Sequence, residues 1–147
     1  MEPLDLRTRA PRSCYAELDG LMLMPRTIDK IRALLPGGDP GGYFINGPIQ
    51  GISGFLLQRL GITEAELAEA VQHAKTDDDV ALWLRGRTDA AQYPALNATL
   101  GRIKPKHAEN EALFRDIYVE TLAEHPELEF IIDIIEADDE RMFLERP

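Results

Sequence analysis

Arg26, Asp29, Lys30 and Arg32 form the cluster in this 147-residue chain whose residue types and spacing best suit recognition of a ligand. On a helix, Arg26 and Lys30 lie four apart and face the same way, and Asp29 can bridge to either. An arginine fork and a lysine at a helix start, beside free backbone N–H groups, suit a carboxylate or a phosphate. Arg12, Tyr43 and Asn46 are candidate neighbours in such a site. The competing reading is an ion-paired surface on a structural helix, with Asp29 neutralising Arg26. Pro25 suits the first turn of a helix, so Arg26 falls where the helix dipole is positive, at a cost of about 0.3–1 kcal/mol. Asp29 or a bound anion can offset that cost.

Other patterns reach less far. Gly51-Ile52-Ser53-Gly54-Phe55 approaches a nucleophile elbow, but Phe55 stands where the elbow needs glycine, so Ser53 reads as a helix cap. Gly37 to Gly42 lacks the Lys-Ser/Thr ending of a phosphate loop and reads as a plain loop. Glu69 and His73, and His107 and Glu111, lie four apart without matching a zinc or di-iron pattern. Asp133, Glu136, Asp138, Asp139 and Glu140 lack the central glycine of a calcium loop and read as a solvated charged face. No metal and no cofactor is expected. Trp83, Phe114, Tyr118 and Phe130 recur among aliphatic residues and read as core, with Trp83 expected to be buried beside Val80 and Leu84.

Composition narrows the classes of partner. A 44% hydrophobic, 29% charged chain of this length suits one folded domain spanning residues 1–147. The formal charge of −10 disfavours nucleic acid and anionic membrane surfaces. Residues 1–32 carry +1, residues 33–101 carry −4 and residues 102–147 carry −7, so an anion is drawn to the N-terminal third. The single cysteine, Cys14, excludes an internal disulfide. The opening residues lack the apolar core of a signal peptide, and no run approaches the ~20 apolar residues that cross a bilayer. A cytoplasmic location follows as the expectation.

The elements that must position these residues read as short helices. Ser13 caps a brief helix to Leu18, ended by Gly20. Pro25 opens a helix to Leu35 with an apolar stripe of Ile28, Ile31, Leu34 and Leu35. A short extended segment is placed near 43–46, where bulky residues lie between glycines and Pro48. Ser53 caps Gly54 to Leu60, with Gly61 as a left-handed exit. Thr63 and Glu66 make a capping box for a helix to Ala74, and Asp77 starts another. Pro94 to Gly101 and the amphipathic His107 to Ala123 follow. Residues 128–135 carry a strand-like isoleucine run, but the pairs Phe130/Ile131 and Ile134/Ile135 favour a helix. The expected fold is mainly α, a bundle of seven or eight short helices.

Pro11-Arg12-Ser13, Pro25-Arg26 followed by Ile28-Asp29-Lys30 and Arg32-Ala33, then Gly42-Tyr43, Asn46, Pro48 and Leu60-Gly61-Ile62 resemble a bacterial family, domain-of-unknown-function family 5069. The likeness fades after about Trp83; Phe130, Asp133 and Asp138 to Glu140 resemble the family's acidic end. It implies no assigned activity. Where it implies Asn-Cys-Pro-Leu-Asp, this chain reads Asn46-Gly47-Pro48-Ile49-Gln50, so a thiol nucleophile at that place is missing here.

Two functions follow from these residues. The preferred one is a non-enzymatic module that binds a small anionic ligand or a protein partner, as a monomer or small homo-oligomer. The alternative is an enzyme acting on a phosphorylated or carboxylated metabolite, with Arg26 and Lys30 holding the anion and Tyr43, Asp29 or another carboxylate moving a proton.

Overall fold

Asp19 and Gly20 both hold left-handed backbone, with φ of 54° and 82°. This Asp-Gly turn reverses the chain as a two-residue hairpin. It joins β1 (Glu17–Leu18) to β2 (Leu21–Met22), with Glu17 opposite Met22 and Leu18 opposite Leu21. The brief helix expected from Ser13 to Leu18 is therefore not formed. Ser13 makes a local turn instead, its Oγ accepting from Tyr15 N at 3.0 Å. Asp-Gly is a strong hairpin signal, and its geometry outweighs the capping tendency of Ser13.

The computed structural model describes residues 1–144. Among them are eight α-helices and this one small sheet, a mainly α architecture. The hairpin delivers the chain to α1 (Met24–Leu34), which has Pro25 in its first turn, as expected. Leu23, at φ 71°, takes the left-handed conformation that sets the entry angle. Every residue from Leu23 to Ile31 is buried, so α1 runs through the middle of the molecule. It packs against α2 (Ile52–Leu60) and α3 (Glu64–His73).

Residues 43–46 carry little regular pairing beyond a bridge between Asn46 and Gln50. They run close beside the start of α2. A Cβ on Gly54 would lie 2.8 Å from the carbonyl oxygen of Ile45, so only glycine allows this approach. Gly51, not Ser53, is the N-cap of α2. Ser53 sits inside the first turn, fully buried, where its hydroxyl faces α1. Gly61 closes α2 in the expected left-handed conformation.

The Thr63–Glu66 capping box opens α3, with bonds of 3.1 Å in both directions. Next come α4 (Asp77–Arg85) and α5 (Tyr93–Leu100). Val80 and Leu84 are buried, but Trp83 is only partly so, with the Arg87 guanidinium 4.8 Å from its ring centre.

The single amphipathic helix expected over 107–123 is broken in two. Asn110 caps α6 (Glu111–Ile117), and α7 (Val119–Glu124) follows after Tyr118 leaves helical geometry at φ −105°, ψ 25°. The break separates two tasks. It leaves Phe114, Ile117 and Tyr118 lining a cavity while α7 packs against the last helix.

That last helix, α8 (Ile131–Leu144), settles the strand-or-helix ambiguity in favour of helix. It begins at Ile131, later than the 128–135 segment that the sequence marked, and Ile131, Ile132, Ile134 and Ile135 are all buried. One hydrophobic cluster joins the hairpin, α1 to α6 and α8.

Candidate functional site

Arg26 and Lys30 project from one side of α1, as their spacing predicts, but into the interior. Their residues are 1% and 6% exposed, so a surface pairing with Asp29 is ruled out. The partner of Arg26 is Asp139 on α8, with Nη1 donating at 2.7 Å and Nη2 at 3.4 Å. Nη1 also donates to the Arg12 carbonyl at 3.3 Å. Tyr43 joins the pair, its hydroxyl donating to Asp139 at 2.7 Å and its ring centre 5.3 Å from the guanidinium carbon. Burial and that hydrogen bond raise the Tyr43 pKa, so the phenol keeps its proton. Arg26 Nε has no hydrogen-bond partner among the described residues.

Lys30 has a poorer environment. Its Nζ donates to Ser53 Oγ at 3.3 Å and forms no ion pair with a carboxylate of the described residues. Thr27 Oγ1 lies 2.9 Å from both Leu23 O and Ser53 Oγ. A hydroxyl carries one proton, so Thr27 can give its own to the carbonyl and take that of Ser53. Ser53 then offers Lys30 a lone pair but no negative charge. Burial, reinforced by the positive charge of Arg26, pushes the lysine pKa down to about 7.

Both cations line one cavity of about 930 Å³. Phe44, Phe55, Ile103, Phe114, Ile117 and Ile131 supply much of its apolar wall. Tyr43, Tyr118 and Asp138 add polar groups, and Arg102, Glu109 and Arg141 add charged ones. Asp138 accepts from Thr121 Oγ1 at 2.6 Å, and burial raises its pKa. Burial likewise raises the Tyr118 pKa. Cavities of this size and composition, with a few convergent polar groups, are the usual form of a small-molecule site.

Asp29, Arg12 and Arg32 do not join it. Asp29 is fully buried and accepts from the Arg12 backbone N at 2.8 Å and from its Nε and Nη2 at 3.1 Å. Arg12 also pairs with Asp77 at the start of α4. Arg32 Nε donates to the Glu2 carbonyl at 2.8 Å. These residues clasp the N-terminal segment to α1 and α4. Asn46 is exposed, lies against the start of α2 and does not line the cavity. Of the seven residues singled out in the sequence, Arg26, Lys30 and Tyr43 come together at the cavity.

The acidic run is not a solvated face. Asp139 is 8% exposed and Asp138 lines the cavity. Glu136 accepts from Ser13 Oγ at 3.0 Å and from Cys14 N at 2.5 Å, and the Tyr15 hydroxyl donates to Asp133. Cys14 is buried, which pushes its thiol up to about 12. A signal for this burial lay in the spacing. Asp138 and Asp139 follow Ile131 and Ile132 by seven residues, so they continue the apolar stripe of α8. Ser53 and Thr27 carried no comparable signal.

His107 Nδ1 accepts from Lys104 N at 3.0 Å, and Glu111 pairs with Arg115. His73 Nδ1 lies on the Glu69 carbonyl rather than its carboxylate. Among the described residues, no group of three or more His, Cys, Asp or Glu is placed to hold a metal ion. No helix there is long and apolar enough to cross a membrane.

The model of one family spans nearly all of these residues, matching 8–141. This chain belongs to the family described as a domain of unknown function (DUF5069). The match takes in both ends of the Arg26–Asp139 pair and every cavity residue but Met142. Comparison with curated proteins gives no match.

Proposed function

We propose that this protein is a binding module for a small amphipathic carboxylate, held in the cavity beside α1. The observation that carries the reading is Lys30, a buried amine that forms no ion pair with a carboxylate of the described residues, at a cavity with aromatic and aliphatic walls. An isolated buried ammonium is costly, and a ligand anion supplies the missing partner. Arg26 adds a free Nε–H, the one buried side-chain donor among the described residues without an acceptor.

Charge narrows the ligand class. Asp139 already neutralises Arg26, and the other charged residues lining the cavity, Arg102 and Arg141 against Glu109 and Asp138, are two of each sign, so Lys30 leaves one positive charge when protonated. That matches a monoanion better than a phosphate dianion. The aromatic and aliphatic walls suit an apolar body behind the carboxylate. The alternative of an enzyme acting on a phosphorylated metabolite is less well supported, because the Arg26 fork is occupied by Asp139.

The reading is tested with 4-phenylbutyrate and its neutral counterpart 4-phenylbutanol at constant ionic strength. The carboxylate should raise the melting temperature saturably, as binding to the folded state alone requires. The alcohol should do so much less. Lys30→Met should lose the response while the apo protein stays folded. Equal responses to acid and alcohol would remove the anion from the reading.

A further inference from the structure

We infer that Lys30 is a covalent amine, whose Nζ condenses with the carbonyl carbon of an amphipathic aldehyde or ketone admitted to the cavity. The inference rests on the cavity's being a ligand site but does not require the ligand to be an anion.

Three features of the geometry support it. Lys30 lines the cavity although its residue is only 6% exposed, so the amine meets a ligand before it meets bulk water. No carboxylate of the described residues pairs with it, and Ser53 offers it only a lone pair. Burial disfavours a proton on the amine, and Arg26, one turn earlier, adds to this while its partner Asp139 opposes it. A lysine desolvated in an apolar pocket beside another cationic group is a recognised route to an amine nucleophile near neutral pH. The pKa of about 7 agrees with this arrangement.

In the step, the neutral amine attacks the carbonyl carbon and a C–N bond forms. The carbonyl π pair moves to oxygen, which takes up the proton that the nitrogen releases. The carbinolamine hydroxyl then takes up a second proton and leaves as water while the nitrogen lone pair closes the C=N bond, and the nitrogen gives up its remaining proton in exchange. Amine and carbonyl compound thus give imine and water, with no oxidant or reductant consumed. The apolar wall limits the water that would reverse the condensation.

The test uses the intact protein at pH 8 with 4-phenylbutanal and cyanoborohydride, which traps an imine as a secondary amine. The mass should rise by that of the aldehyde less one oxygen. Peptide mapping should place the label on Lys30, at least about tenfold over Lys75, Lys104 and Lys106, because ordinary lysines are mostly ammonium at this pH. Lys30→Arg should lose that label, and excess 4-phenylbutyrate should suppress it in the wild type. Labelling of the other lysines with Lys30 at or below their level overturns the imine. If 4-phenylbutyrate still raises the melting temperature in that case, the binding reading stands alone. A label on Lys30 in a protein indifferent to 4-phenylbutyrate keeps the imine and removes the anion.

Discussion

Arg26 and Asp139 lie 113 residues apart in the chain, yet Nη1 meets Oδ2 at 2.7 Å in the interior. The pair joins the central helix to the last one, and Tyr43 closes over it. It also changes what a substitution at Arg26 means. On a surface helix, removing this arginine would be nearly neutral. Here it strands a buried carboxylate.

Arg26→Met should therefore destabilise the protein by about 3–5 kcal/mol, the usual cost of leaving one member of a buried pair alone. Arg26→Met combined with Asp139→Leu should recover most of that loss, because apolar replacement of a buried pair is often close to neutral. Chemical denaturation of the two single variants and the double variant measures the coupling. Additive losses would mean that the two side chains do not share one environment.

Lys30 predicts a dependence of stability on pH. Its folded pKa is lowered to about 7 from the ordinary lysine value of 10.5. Between those values the unfolded chain binds more protons than the folded one, so this residue makes stability rise with pH. Arg26, Cys14 and Asp139 act electrostatically on Lys30, and the buried Cys14 thiol and Tyr43 and Tyr118 phenols oppose the trend in more alkaline solution. The useful window is therefore pH 7 to 9. Across it, the wild type should gain about 1–3 kcal/mol relative to Lys30→Met. A constant difference between the two proteins would show that Lys30 titrates normally.

Carboxylate binding should run the other way. A bound anion favours the protonated lysine, so binding takes up a proton once the pH exceeds the apo pKa. The affinity for 4-phenylbutyrate should fall by about tenfold from pH 6 to pH 8, on the scale of 1.36 kcal/mol per pKa unit. Calorimetry in buffers of different ionisation enthalpy would count the proton. Imine trapping should increase over the same range.

Asp29 belongs to the clasp and not to the cavity. Asp29→Asn should cost about 1.5–3 kcal/mol, the scale of hydrogen bonds to a charged group, by weakening its hold on Arg12. The response to 4-phenylbutyrate should be unchanged once stability is allowed for. A loss of ligand response at full stability would move Asp29 into the site.

Trp83→Ala should cost about 1–2 kcal/mol, below the 3–5 kcal/mol of a fully buried tryptophan, because the ring is only partly buried and the Arg87 guanidinium, held by Glu66, lies beside it. Thermal unfolding of this variant and of Arg87→Ala would separate packing from the cation–ring contact.

The local elements were largely determined by the sequence itself. Pro25, the Thr63–Glu66 box, Asp77 and Gly61 act over one turn, and the structure has those helix ends near their expected places. The same near-neighbour logic placed Arg26 and Lys30 on one side of α1. What it could not decide was which way that side points, since α1 carries ion-forming residues yet is buried over most of its length. That outcome depends on Asp139, delivered by a helix more than a hundred residues away, and on Arg12, delivered from before the hairpin. Ser53 shows the same division. A serine near a helix start reads as a cap, but once Gly51 takes the cap its hydroxyl is free to meet Lys30. Capping and periodicity are short-range and leave a trace in neighbouring residues. The pairing of a buried charge is set by whatever the tertiary fold brings within about 3 Å, at a distance along the chain that no local pattern records.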